Sequence, residues 1–323
     1  MKKFLKRLSL FCLPLVILSY PIDRCISINL EKSNGYAMKE YEPWRDLVHG
    51  KVNSDIAIYG SSRAWVMADP QLLSDTLGLP AYNLGVDGYT FGMEYCSHRL
   101  LLDRNRQPKL IVQILDPHTL TYRDDLYNPD QFLPFLLWDR EFISATSGRT
   151  GYNLLDKYVP LIRYYGKLGA IKEAFRISRG QPNPVERKHG FQSSDRNWMG
   201  DFEKVKKNFH RQIITIDSRV VQQFNDFLSE CRLKGIKVVF VFAPEYIKGQ
   251  SFTKNRAEVM ELYRDIAIKN KIPFYDYSQD SLSMDQSNFY NVSHMNSKGA
   301  KKFSSDLAHR LKMESDFKIL FGN

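Results

Sequence analysis

The chain has 323 residues, of which 43% are hydrophobic, 13% aromatic and 25% charged; this accommodates one large α/β unit with an insertion or anchor and excludes long disordered or collagen-like states. Lysine and arginine number 46 against 36 acidic residues, a formal charge of +10 spread in short groups. That balance favours an anionic surface, membrane or polymer and does not call for nucleic acid.

The opening carries Lys2, Lys3, Lys6 and Arg7, then an apolar run from Leu8 to Ile22. No small-residue cleavage site follows at Ser19–Asp23, and the residues before Cys25 do not suit lipidation. Residues 1–25 are therefore read as an uncleaved signal-anchor, with a buried core helix as the alternative, although a spanning helix usually has roughly 20 apolar residues. The basic start places that end in the cytoplasm and the remainder outside the inner or cytoplasmic membrane, as a single-pass protein. Residues 26–53 read as linker and lead-in, and 54–323 as the main domain.

Buried strands are predicted at Asp55–Tyr59, Ala81–Gly85, Lys109–Leu115, Ile236–Phe242 and Ile272–Tyr277. Helices are predicted to about Asp103, over Ser218–Lys234 and Arg256–Lys269, and from Ser297 to about Met313. Between about 125 and 217 the pattern loosens, with prolines and clustered aromatics, and reads as an inserted helical cap. There Trp138, Tyr152, Tyr158, Tyr164, Tyr165 and Trp198, among Arg149, Lys157, Arg163 and Lys167, either stack sugar rings or form the cap's own core. The alternation predicts an α/β fold with a flavodoxin-like, doubly wound, five-stranded parallel sheet, whose ligands bind beyond the carboxyl ends of the strands.

Cys12, Cys25, Cys96 and Cys231 are too few and too far apart for a disulfide framework, and Cys96 and Cys231 are expected as buried helical thiols. His49, His98, His189, His210 and His309 show no paired metal spacing, and no Gly-rich phosphate loop precedes a helix. No metal or cofactor is expected.

Ser62 follows a glycine and a small residue after the first buried strand, where a tight turn lifts its hydroxyl above the sheet edge. His294 lies just before the last helix, at a place from which it can face the same edge as a general base. The bland alternatives are a turn serine and a capping or loop histidine.

Four blocks, in this order, resemble those of the SGNH/GDSL hydrolases. Ile58-Tyr-Gly-Ser-Ser62-Arg-Ala64 looks like the nucleophile block and Tyr82-Asn-Leu-Gly-Val-Asp-Gly88-Tyr-Thr90 like the oxyanion glycine block. Val241-Phe-Ala-Pro-Glu-Tyr246 looks like the strand-end Pro segment, and Asn291-Val-Ser-His294-Met-Asn-Ser-Lys-Gly-Ala300 like the D-x-x-H-x-N-x-x-G-A block. The likeness is to the family's membrane-anchored branch, which includes proteins of alginate O-acetylation and teichoic-acid D-alanylation.

The resemblance implies Ser62 as nucleophile, His294 as base, Asn291 as its orienter, and the Ser62 and Gly88 amides as oxyanion donors. Arg63, Asp87, Asp116, His118 and Glu245 are substrate-binding candidates. Two departures stand out. Asn291 replaces the family's aspartate, with Asp276 and Asp285 as alternatives, and Gln113-Ile-Leu-Asp-Pro-His-Thr119 replaces the G-x-N-D block.

The implied activity is that of an extracytoplasmic esterase or O-acyltransferase acting on acyl, most simply acetyl, esters of a cell-envelope polysaccharide. An integral-membrane acyltransferase is an expected partner. The alternative is a catalytically inactive binding or scaffold subunit of a polysaccharide-modification complex.

Overall fold

Five short runs rich in apolar residues become a wholly parallel sheet: β1 Ile56–Tyr59, β2 Ala81–Asn83, β3 Leu110–Leu115, β4 Lys237–Phe242 and β5 Phe274–Asp276. Their spatial order is β2-β1-β3-β4-β5, the expected doubly wound α/β arrangement. All six residues of β3 are buried because helices cover both faces of the sheet, which is why this strand reads as a continuous apolar run. The computed structural model describes residues 1–184, 187–198 and 212–321.

The chain divides into two compact units. The sheet unit joins Asp46–Arg123 to Arg187–Asn323. Side chains alternate across its strands: Ile56, Ile58, Val239 and Val241 enter one apolar cluster, while Tyr59 and Phe240 turn to an aromatic layer.

The apolar cluster takes in α3 (Ser62–Met67), α4 (Pro70–Leu77) and α12 (Ser297–Met313). The opposite face receives Phe91 and His98 of α5 (Phe91–Arg104) and Phe224 and Phe227 of α9 (Ser218–Leu233). Tyr263 of α10 (Arg256–Asn270) lies against Phe242 on that same face. Two short helices, α11 (Ser281–Met284) and α13 (Lys318–Phe321), flank α12 in sequence. Phe303, Leu307 and Leu311 of α12 are fully buried, each such side chain contributing about 1.5–3 kcal/mol. Cys96 and Cys231 are the expected buried helical thiols.

The strand expectations hold to within a few residues, but α4 was not anticipated. Its ends are nonetheless written in the sequence: Asp69 caps it by accepting from the Gln71 amide, Pro70 occupies the first turn, and Gly78 leaves it at φ 71°.

The second unit joins Met1–Arg45 to Asp124–Glu186. It contains α1 (Lys2–Leu30), most of α2 (Tyr41–Val48), α6 (Arg140–Ala145), α7 (Leu154–Tyr158) and α8 (Leu168–Ser178). Its core is aromatic: Trp44 meets Phe142 edge-on at 5.1 Å, Phe142 stacks on Phe135 at 4.8 Å, and the Trp44 indole donates to Gln131 Oε1 at 2.8 Å. The expected insertion of about 125–217 thus contributes to both units, and the stretch read as lead-in carries α2.

Helix α1 is long and apolar enough to cross a membrane. It runs past the apolar stretch that ends at Ile22 because Asp23 and Ser27 have partners inside the unit. Arg163 grips both Asp23 oxygens at 2.8 and 2.6 Å, and Tyr164 meets Ser27 Oγ at 3.0 Å.

Candidate functional site

The site grows from the turn after β1. Gly60 sits at φ 143°, and a Cβ there would lie 2.8 Å from the Ile114 carbonyl oxygen and 2.9 Å from Ala64 Cβ, so only glycine lets the chain turn so close to β3. Ser61 then caps α3, its hydroxyl accepting from the Arg63 amide at 3.4 Å and donating to Asp116 Oδ2 at 2.5 Å. Ser62 is thereby fixed as the first helical residue, at the carboxyl end of the strand where the sheet order reverses.

From the loop before α12, His294 brings Nε2 to 2.8 Å from Ser62 Oγ. Its other ring nitrogen, Nδ1, lies 3.1 Å from Asn291 Oδ1. That same oxygen accepts the backbone amides of Ser293 and His294, both at 2.9 Å. Two backbone donors orient the Asn291 amide oxygen-inward, so it can only accept from the imidazole. Nδ1 therefore carries the proton, leaving Nε2 as the acceptor that a base beside Ser62 requires.

Burial first, and then the Arg63 charge, lower the His294 pKa to about 4, with Asp116 opposing. The ring is neutral at physiological pH. Tyr290 stacks on it at 5.6 Å with 10° between planes, while Asn296 anchors the following helix by accepting from the Gly299 amide at 3.0 Å.

The remaining candidates divide. Arg63 and Glu245, named as substrate-binding candidates, are buried and paired with each other: Arg63 Nη2 donates to Glu245 Oε2 at 2.7 Å, and Arg256 pairs with the other carboxylate oxygen. A lone buried guanidinium or carboxylate would be costly to desolvate, and this three-residue pairing offsets that cost. Asp116 holds Ser61 and the His118 amide, the latter at 2.7 Å, while the exposed His118 ring is not brought to the Ser62–His294 pair by any contact among the described residues.

Asp87 lies close to Ser62. Burial raises its pKa, while Arg187, the Gly88 amide and a hydrogen bond to the Ser62 hydroxyl hold it down. Gly88 sits at φ 70°, and its carbonyl accepts from Arg123 Nη1 at 3.0 Å. Asp276 faces Arg264, and Asp285 caps Ser287, so neither replaces Asn291 at the imidazole.

Several contributors escaped the sequence reading. Asn83 donates to the Ala64 and Ala68 carbonyls at 2.7 and 2.8 Å and accepts from Gly85 N at 2.9 Å, tying β2 to α3. Beneath the sheet edge, Gln113 donates to the buried Glu94 at 2.8 Å, and burial lifts the Glu94 pKa to about 8. His98 is held neutral by burial, its pKa down to about 3, and meets the Tyr59 hydroxyl at 3.0 Å. His210 lies outside the described residues. Among the described residues no group of three or more His, Cys, Asp or Glu side chains is arranged to hold a metal ion.

No family model and no curated protein matches the sequence. Among solved structures, a chain from Bacteroides fragilis NCTC 9343 described as "a putative acylhydrolase" is 13% identical, with 87% of this chain and 97% of that one covered and a TM-score of 0.35.

Proposed function

We propose that this chain is a membrane-anchored, extracytoplasmic serine esterase or O-acyltransferase of the SGNH kind, acting on acyl esters of a cell-envelope polysaccharide. The observation that carries the reading is the 2.8 Å approach of Ser62 Oγ to a His294 Nε2 whose tautomer Asn291 fixes. Ser62 attacks the acyl carbonyl as its proton passes to Nε2, and the negative charge on the carbonyl oxygen is met by the Ser62 and Gly88 amides. Collapse expels the alcohol, which takes the proton from His294 and leaves an ester on Ser62. Water or a sugar hydroxyl then attacks that ester, giving hydrolysis or transfer.

The polysaccharide and the acetyl group come from the motif resemblance, and the net charge of +10 and the apolar α1 support an envelope setting. The competing reading, a binding subunit without catalysis, is favoured by the neutral Asn291 at the imidazole. Turnover of a small acetyl ester by the full-length protein separates the two. The enzyme reading expects activity that Ser62→Ala abolishes. Equal background rates for the folded wild type and Ser62→Ala favour the binding subunit.

A further inference from the structure

Helix α1 changes surroundings abruptly. Phe4, Leu10, Phe11, Leu13, Ile17 and Ile22 are each at least 50% exposed, yet Asp23 is completely buried. At that level Asp23 receives the Arg163 fork, the Leu161 amide at 2.7 Å and the Trp138 indole at 2.9 Å. These bonds tie the stretch from α7 to α8 to the point where the apolar part of α1 ends.

That stretch is unusually apolar on its outside. Leu154, Leu155, Tyr158, Ile162, Tyr165 and Leu168 are all exposed, Tyr165 at 91% and Leu154 at 72%. Two of the four charged side chains of the same stretch are turned inward, Lys157 with Nζ 3.2 Å from Ser147 Oγ and Arg163 spent on Asp23, while the half-exposed Asp156 accepts from the Asn153 amide and Lys167 pairs with Asp130. Tyr20 meets Trp138 edge-on at 6.4 Å, and Arg24 lies 5.2 Å over the same indole. Half-exposed Tyr and Trp beside a cation, at the end of an apolar helix, suit the layer between lipid tails and water.

We propose that Leu154–Leu168 is a second membrane-contact surface, lying in the interfacial layer of the leaflet that α1 leaves at Asp23. The occupant is lipid because this surface is continuous with α1: a bilayer around residues 2–22 reaches its boundary where Leu161 and Arg163 are tied. Apolar side chains seat in the acyl boundary, with the tyrosine hydroxyls and Arg24 toward headgroups. This rests on reading α1 as a membrane span. It adds a shallow contact that fixes the unit against the membrane, where a single helix alone would leave it free to swivel.

The test uses the full chain reconstituted into phosphatidylcholine and phosphatidylglycerol vesicles. In a Cys12→Ser, Cys25→Ser background, whose remaining thiols are buried, an environment-sensitive fluorophore is attached at Leu155→Cys, Tyr165→Cys or Leu168→Cys. Ile17→Cys reports on the span, and Leu233→Cys and Ile268→Cys, 85% and 76% exposed in the sheet unit, report on water. The surface is supported by blue-shifted emission and quenching by spin-labelled lipid several-fold stronger at 155, 165 and 168 than at 233 and 268. Quenching at 17 with water-like emission at 155, 165 and 168 overturns the surface and leaves the span standing. Absence of quenching at 17 overturns both.

Discussion

With an amide at position 291, the imidazolium that the proposed mechanism forms at His294 meets a dipole at 3.1 Å in place of a carboxylate partner, with Asp116 the acidic charge that favours it. Asn291→Asp retains the two backbone amides that orient the side chain and adds the charge that a forming imidazolium needs. We expect it to raise the turnover of an acetyl ester by about 10-fold or more and to move the His294 pKa upward. A decrease in turnover with the fold intact would count against His294 as the base. In the wild type the base works only when neutral, so turnover should fall as pH drops through about 4 and stay flat above, in a kcat/KM profile. Stability follows the same sign: the unfolded histidine binds a proton below its ordinary value near 6.5 while the folded one resists until about 4, so stability contributed here is lost across that window on acidification.

At the scale of elements, Ser62 is held by close backbone approaches rather than by any one bond. A Cβ on Gly85 would lie 2.6 Å from the Trp65 amide and 2.9 Å from Ala64 Cβ, both in α3. Gly85→Ala should therefore cost about 1–3 kcal/mol in thermal or denaturant unfolding and reduce Ser62 reactivity, whereas an unchanged midpoint would contradict the tight β2–α3 contact. The strands were legible because parallel strands covered on both faces must be apolar throughout, as β3 is. That Ser62 and His294 meet was legible through their local blocks. What joins Arg63 to Glu245 was not, because the two lie 182 residues apart and a buried ion pair leaves no periodic trace. Asp116 misled for a related reason: its place at a strand end signals a cleft residue, while its bond to Ser61 makes it a support for the turn.

At the scale of the molecule, α1 is both an apolar helix and a structural part of its unit. Asp23→Ala leaves the fully buried Arg163 without its carboxylate, a loss of about 3–5 kcal/mol for a broken buried pair. Limited proteolysis of the full-length protein should then cut within residues 124–186 far sooner than in wild type, and equal resistance would argue that the pair is dispensable. Trimming the chain behind Asp23 removes the same partner, so the assays of the proposed activity call for the intact chain in detergent or vesicles. The most direct test of the central claim is covalent labelling of that intact chain with a fluorophosphonate, which reports an activated serine without knowledge of the substrate. We expect wild type to be labelled and Ser62→Ala and His294→Ala to remain unlabelled. A folded wild type that takes no label, or one labelled equally in Ser62→Ala, would contradict Ser62 as a nucleophile.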